Sequence, residues 1–393
     1  MVISAQPPDS PVPAELAPGP ARRPVAPPAR TPDDALSPEA AARVGGGLAP
    51  ATVRAYERHW AAFSRWCWLR GRSALPATAA TLAEYVHHLT TTVTQYGGPP
   101  GPATIEQVLG CVQSAHQLNG TPVNARLARL ALRDYRREVR ARRDRAADTG
   151  GTAGTAGPVP LPRSRQSLPI TADVLRPMVH ALLDGVAAGE LAAVRVLRDQ
   201  CALVLGLALA ARASEVRNLR VGDVRFTEHG LSVRIAASKT DQDGRGVDVP
   251  VPYGAHLETC PVRITRAWLD TLAAHGVGGG PLVRGVDRRG RIAGTPGYGG
   301  RGGPVPAPIT GQALNDLLRA AVARARRDGA RLEDPARYSW HGLRAGFATG
   351  AATAGAAPSR IADHGRWTGL MMVLHYWRSG RGHLDNPVAR LGL

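Results

Sequence analysis

The sequence predicts a mainly α-helical protein with a small β-sheet in its second half, divided into two folded domains. Apolar residues recur at helical spacing through most of residues 47–146 and again after residue 168. Between residues 224 and 251, three short strand patterns follow one another. A length of 393 residues also exceeds the usual size of one domain.

Two segments are not predicted to belong to either domain. Residues 1–46 contain eleven prolines and few large apolar side chains, so they cannot bury enough surface to offset chain entropy and are predicted to be a disordered tail. Residues 147–167 are rich in Gly, Thr and Pro and are predicted to form a linker. The folded domains then span residues 47–146 and 168–393.

The first domain is predicted to consist of helices. Apolar stripes at residues 56–67, 82–89 and 105–112 each keep to one helical face, and glycines follow the first and third stripes. The fourth predicted helix, residues 124–146, carries nine arginines and only three acidic residues. A charged helix face is usually just solvated, but the dominance of one sign favours a surface that binds phosphates. The candidate DNA-binding residues are Arg126, Arg129, Arg133, Arg136, Arg137 and Arg140.

The second domain is predicted to begin with two helices, the second being the apolar segment Leu191–Ala211. A turn-rich segment, residues 238–246, joins the second and third strand patterns, and a Gly-rich stretch at residues 285–307 is predicted to be a mobile surface loop. The strand patterns are Val224–Phe226, Leu231–Ala236 and Gly246–Val251, and the later helical patterns are Leu257–Ala274, Thr310–Arg327, His341–Ala354 and Ser359–Asp363.

The net charge of the chain indicates the kind of partner that it binds, and its cysteines indicate the compartment in which it works. The formal net charge is +18, with 49 basic against 31 acidic residues, which indicates a polyanionic partner, most commonly nucleic acid. The cysteines are Cys67, Cys111, Cys201 and Cys260, and they show no metal-ligand spacing, so they indicate free thiols in a reducing compartment. No apolar run reaches membrane-spanning length. We expect a cytoplasmic protein without membrane contact, associated with the nucleoid when it acts.

The chain contains one lysine, Lys239, in the turn between two strand patterns. Arginine is effectively never deprotonated, whereas a lysine ammonium can serve as a proton donor. From composition alone, a general-acid role and chance retention of a single lysine codon remain equally open.

Arg212 and Glu215 follow the apolar segment at i,i+3 spacing. Such a pair is more often an ordinary surface contact. Because Arg212 directly follows a buried helix, Glu215 is alternatively in a position to hold its guanidinium as a phosphate clamp.

Four residues near the C-terminus could together carry phosphoryl transfer. His341 and Arg344 share one helix face, Trp367 follows Arg344 by 23 residues, and Tyr376 follows Trp367 by nine. Each alone is more often structural. Together they offer a cation, hydrogen-bond donors and a nucleophile.

The order and spacing of these residues resemble the tyrosine recombinase (phage integrase) family. The family's arginine in an R-x-x-E pattern is matched by Arg212 with Glu215, and its β-hairpin lysine by Lys239. Its H-x-x-R motif, its following His or Trp and its nucleophile are matched by His341, Arg344, Trp367 and Tyr376. The match covers about residues 168–380, and residues 47–146 resemble the family's core-binding domain more loosely.

The resemblance implies a two-domain, C-shaped clamp on double-stranded DNA, with a helical core-binding domain and a mixed α/β catalytic domain. It implies that Tyr376 forms a 3′-phosphotyrosyl bond without ATP, metal or another cofactor. Arg212, Arg344, His341 and Trp367 would then stabilise the phosphate oxygens, Glu215 would orient Arg212, and Lys239 would protonate the leaving 5′-oxygen. Family members act as homotetramers on paired sites, and we expect a monomer when the protein is free of DNA.

One position departs from the commonest family pattern, and two other functions stay open. Many members have histidine where Trp367 stands; His364 lies three residues too early, and we interpret it as a phosphate-binding or structural residue. A type IB topoisomerase shares the chemistry but relaxes DNA without pairing two sites. A non-catalytic DNA-binding protein on the same fold would be expected to lack at least one site residue, and none is missing.

Overall fold

A computed structural model describes residues 50–95, 97–148, 167–236, 246–298 and 308–381, with isolated positions elsewhere. The chain divides into two compact units, Met1–Ser164 and Arg165–Leu393. Most of the predicted disordered tail and most of the predicted linker lie outside the described residues, as do residues 237–245, for which the sequence predicts a turn.

The N-terminal unit is built from helices that lie where the apolar stripes predict them. Their inward faces form one core, which includes the fully buried Phe63, Val86, Val112 and Leu132. Two of these helices end before glycines with positive φ, because the left-handed backbone that closes a helix suits glycine. The helices are α1 (Pro50–Leu69), α2 (Ala79–Thr91), α3 (Pro102–Leu118) and α4 (Arg126–Asp148).

The C-terminal unit surrounds a buried helix with further helices and one sheet. Helix α6 is buried along most of its length, as the sequence predicts, and contributes Cys201, Leu203 and Leu205 to the core. The helices are α5 (Ala172–Ala187), α6 (Ala193–Ala208), α7 (Ala213–Asn218), α8 (Pro261–Ala274), α9 (Gly311–Arg327), α10 (His341–Thr353), α11 (Pro358–Gly365) and α12 (Leu370–Arg381).

The sheet is small and antiparallel, in the order β1-β2-β3. Val233 of the central strand pairs with a residue of each neighbour, and Leu231, Val233 and Ile235 turn their side chains into the core. The strands are β1 (Val224–Thr227), β2 (Gly230–Ile235) and β3 (Val247–Pro252). The prediction of a mainly helical chain with a small β-sheet is confirmed.

Two local predictions were wrong, and one helix was missed. Helix α8 begins at Pro261, not Leu257, because Pro261 occupies the first helical turn and residues 257–259 form a separate 3₁₀ turn. The described part of the Gly-rich stretch, residues 285–298, is not a loose loop, since it buries Val286 and Ile292 in the core. Helix α12 was not predicted at all.

The last three helices form a small packing cluster of their own. Ala348 and Ala352 of α10, Ile361 of α11 and Val373 of α12 are buried together. Within the described residues, every helix is too short or too polar to span a lipid bilayer.

Candidate active site

Helix α10 carries two of the predicted site residues, His341 and Arg344, and backbone contacts hold it in place. The segment Ser167–Ile170 crosses it: the Ile170 N–H donates to the Gly342 carbonyl at 2.8 Å. A side chain at Gly342 or Gly346 would collide with the backbone of this segment. These glycines therefore permit the close approach that fixes the helix bearing His341 and Arg344.

Arg344 is buried and positively charged, and one of its nitrogen atoms has no hydrogen-bond partner among the described residues. The residue is only 2% exposed, and its Nη1 donates to the Ala210 carbonyl at 2.6 Å. Its Nη2 is buried and has no hydrogen-bond partner in the described part of the chain. Burial, with a contribution from Arg212, lowers the pKa of Arg344 to about 9, so the guanidinium stays charged at neutral pH. A buried positive charge with an unused N–H is suited to bind an anionic oxygen.

Arg212 and Glu215 meet as the i,i+3 spacing predicts, but not as an ordinary surface pair. Arg212 Nη1 donates to Glu215 Oε1 at 2.6 Å, and the Glu215 side chain is 1% exposed. Burial alone would raise the pKa of Glu215, but the charge of Arg366 and hydrogen bonds from Arg212 outweigh it and lower that pKa. The carboxylate is therefore ionised and fixes the Arg212 guanidinium.

Tyr376 lies on α12, which packs against α10 and α11. Its hydroxyl oxygen is 3.3 Å from His341 Nε2. Burial raises the pKa of Tyr376, with Arg344 opposing the shift, so the phenol does not ionise unaided at neutral pH. Burial and the charges of Arg344 and Arg212 lower the pKa of His341, so its imidazole is neutral and able to accept a proton.

Trp367 completes the cluster. Its ring lies under the Arg344 guanidinium, 3.9 Å from ring centroid to Cζ, and its centroid is 6.4 Å from that of Tyr376. The indole packs flat against Gly365, where any side chain would overlap the ring. The structure therefore brings six of the predicted site residues together: Arg212, Glu215, His341, Arg344, Trp367 and Tyr376. Lys239 lies outside the described residues.

The structure decides between the two roles considered for one neighbour of the site and adds a second neighbour that the sequence interpretation lacked. His364 is structural: its Nε2 donates to the Ala208 carbonyl at 2.7 Å, and its ring stacks on Phe347. Arg366 was missed. Its Nη2 donates to Glu215 Oε2 at 2.9 Å, and its side chain is 6% exposed. Its position between His364 and Trp367 was the only signal available in the sequence.

The arginines predicted on α4 are exposed but differ in their partners. Arg129 and Arg136 both contact Glu106, with nitrogen–oxygen distances of 3.4 and 2.9 Å. Within the described residues, Arg126 and Arg133 form no ion pair. Arg137 and Arg140 pair loosely along the helix, with Asp134 and Asp144 respectively.

Among the described residues, no group of His, Cys, Asp or Glu side chains is arranged to hold a metal ion. All four cysteines are buried free thiols.

Comparison with known proteins shows which proteins this chain resembles in sequence and in fold. No profile of a known protein family matches the chain. An integrase/recombinase xerD homolog of Selenomonas ruminantium is 27% identical over 364 residues, covering 91% of this chain and 90% of the relative. The fold matches that of the XerH site-specific recombinase bound to its difH substrate, with a TM-score of 0.55, 12% identity and coverage of 86% of this chain and 79% of that one. It also matches the Tn1549 transposon integrase bound to transposon end DNA, with a TM-score of 0.54, 13% identity and coverage of 89% and 96%.

The fold is that of site-specific recombinases and integrases, and the sequence is similar to that of an integrase/recombinase over about nine-tenths of its length. Fold and sequence together support a tyrosine recombinase, the class that the sequence pattern predicts.

Proposed function

We propose that this protein is a site-specific DNA recombinase that cleaves and rejoins DNA through a covalent bond to Tyr376. The observation that carries the proposal is the contact between the Tyr376 hydroxyl and His341 Nε2, beside Arg344 Nη2, which has no partner among the described residues. A nucleophile, a neutral base and a buried cation around one point are what attack on a phosphodiester requires.

The first chemical step follows from these contacts. Tyr376 Oη attacks the scissile phosphorus while its proton passes to His341 Nε2, and the bond to the 5′-oxygen breaks. This assignment differs from the sequence interpretation, which gave His341 a role at the phosphate oxygens. Arg344 and Arg212 donate to the non-bridging oxygens, each such donor contributing about 3–4 kcal/mol to the transition state. Trp367 supports Arg344 by lying against its guanidinium.

Completion of the step needs a proton on the leaving 5′-oxygen. By its match to the family pattern, Lys239 supplies that proton. The 3′-phosphotyrosyl bond retains the energy of the broken phosphodiester, so a 5′-hydroxyl from a partner strand reverses the step without ATP. If Lys239 is the acid, Lys239→Arg slows cleavage, and a substrate with a 5′-thiol leaving group restores the rate.

The substrate inferred here is double-stranded DNA at a specific recombination site. The XerH and Tn1549 proteins are described in complexes with their DNA substrates, and this chain has a net charge of +18 and an arginine-rich helix α4. We further infer that the protein is a monomer in solution and assembles as a homotetramer on two paired sites.

Formation of an adduct tests the proposal. The protein is incubated with nicked duplex fragments from the DNA flanking its gene, and complexes that survive denaturing electrophoresis are counted. Wild-type protein is expected to form them, whereas Tyr376→Phe binds the same fragments and forms none. Persisting adduct in Tyr376→Phe would remove Tyr376 as the nucleophile. Supercoil relaxation by a monomer, without pairing of sites, would replace the recombinase with a topoisomerase.

A further inference from the structure

We propose that Arg366 is a positioning residue that locks Arg212 and Trp367 into one rigid arrangement for cleavage. This inference rests on the proposed function, because it states what Arg366 does for that reaction. Three observations carry it: the backbone conformation of Arg366, the partners of its guanidinium, and the place of those partners in the site.

The backbone at Arg366 is one that glycine would adopt more easily. Arg366 ends helix α11 with φ 57° and ψ 46°, in the left-handed region. Among the described non-glycine residues, the other position with positive φ is Ala210, whose carbonyl accepts the hydrogen bond from Arg344. Both strained positions therefore lie beside the candidate site, where unfavourable backbone is retained when a side chain or carbonyl is needed.

The guanidinium of Arg366 joins three separate elements. Nη2 donates to the Leu209 carbonyl after α6 at 3.0 Å and to Glu215 of α7 at 2.9 Å, while Nη1 donates to the His364 carbonyl of α11 at 2.9 Å. Only the planar, forked guanidinium presents donors in several directions at once. A glycine or lysine at this position would leave at least some of these carbonyls without their donor.

The partners of Arg366 are themselves the supports of the site. Glu215 uses its other oxygen, Oε1, to hold Arg212 at 2.6 Å, so one carboxylate fixes both arginines. Trp367 directly follows Arg366 and lies under Arg344. Movement of Arg366 would therefore displace Arg212 through Glu215 and Trp367 through the chain.

The substitution Arg366→Gly tests the role of the Arg366 side chain apart from that of its left-handed backbone conformation. Glycine relieves the left-handed conformation but removes one member of a buried ion pair, so the melting temperature should fall. At a temperature at which both proteins are folded, the cleavage rate should fall by about 10- to 100-fold, the effect typical of residues that orient a functional ligand. DNA affinity should change much less than the rate. Added guanidinium ion should restore part of the rate in Arg366→Gly. Arg360→Ala, an exposed arginine on the same helix, is the matched control and should cleave like wild type.

The results separate this inference from the proposed function. If wild-type protein forms no adduct, the proposed function fails. If wild type and Arg366→Gly cleave at equal rates, or if DNA affinity falls as much as the rate, the positioning role is overturned. Should Arg366→Gly not fold, Arg366→Lys keeps the charge but not the fork; cleavage at the wild-type rate by that variant overturns the inference, and a loss of at least tenfold with the fold retained supports it.

Discussion

At the scale of single residues, the site keeps positive charges buried together with two hydrogen-bond donors that have no partner among the described residues, Arg344 Nη2 and Arg366 Nε. Arg344 is held by the Ala210 carbonyl and by the Trp367 ring, yet its Nη2 has no partner among the described residues. A buried, unsatisfied donor costs free energy in the unbound protein. The binding of a phosphate oxygen there would remove that cost.

The protonation of His341 predicts a pH profile for cleavage. Burial and neighbouring arginines lower the pKa of His341 below the ordinary imidazole value of 6.5. As a base it must be neutral, so the cleavage rate should decline with falling pH, and the midpoint of that decline should lie below pH 6.5. Single-turnover cleavage on a nicked substrate measures this. A decline centred above pH 6.5 would contradict the role, and His341→Asn should show no such acid limb.

The buried carboxylate of Glu215 predicts a large effect on stability. Glu215→Ala would leave Arg212 and Arg366 without their shared partner, and loss of one member of a buried ion pair costs about 3–5 kcal/mol. Urea unfolding measures the change. Glu333→Ala, which removes an exposed pair with Arg337, is the control and should cost at most about 1 kcal/mol. Equal losses of unfolding free energy in the two variants would show that the protein does not depend on Glu215 as the shared buried partner of Arg212 and Arg366.

Most of the site residues could be predicted from order and spacing, because the family pattern fixes them along the chain. Arg366 and Ala210 could not be predicted. Their roles depend on left-handed backbone and on contacts with residues more than 130 positions away, such as the bond between Arg366 and Glu215. No periodicity records contacts of that kind.

At the scale of elements, helix α10 depends on the segment that crosses it. In Gly346→Ala, the new methyl group would overlap the Ile170 carbonyl, and the backbone cannot move aside cheaply. We expect a loss of about 1–3 kcal/mol and a cleavage defect, because His341 and Arg344 shift with the helix. Gly350→Ala lies on the same helix in open space and should instead be neutral or stabilising by up to about 1 kcal/mol. Thermal unfolding and adduct formation on both variants test this contrast.

Two elements show where hydrophobic sequence patterns fail to predict structure. Helix α12 was not predicted because its apolar residues are not confined to one face. Met371 is 74% exposed, whereas Val373 is fully buried. The stretch at residues 285–298 has a loop-like composition, yet Val286 pairs with Ile292 and both are buried. Hydrophobic periodicity predicts elements with one apolar face and fails for those whose packing is set by tertiary contacts.

At the scale of the whole molecule, the excess of positive charge predicts salt-sensitive binding to DNA. Arg133 is exposed and forms no ion pair in the described part of the chain, so Arg133→Ala should weaken binding and reduce the slope of log affinity against log salt by about 1. Glu106→Gln should act in the opposite direction, because it releases Arg129 and Arg136 from their partner. Fluorescence anisotropy at several salt concentrations measures both. An unchanged slope in Arg133→Ala would remove α4 from the DNA-binding surface.

The proposed reaction requires Tyr376 to become covalently attached to DNA. The most direct measurement is protease digestion of the covalent complex followed by mass spectrometry of the peptide that carries the nucleotide. The modified peptide is expected to contain Tyr376 linked to a 3′-phosphate, with a free 5′-hydroxyl on the other DNA end. A nucleotide found on any other residue, or on a 5′-phosphate, would contradict the proposed reaction.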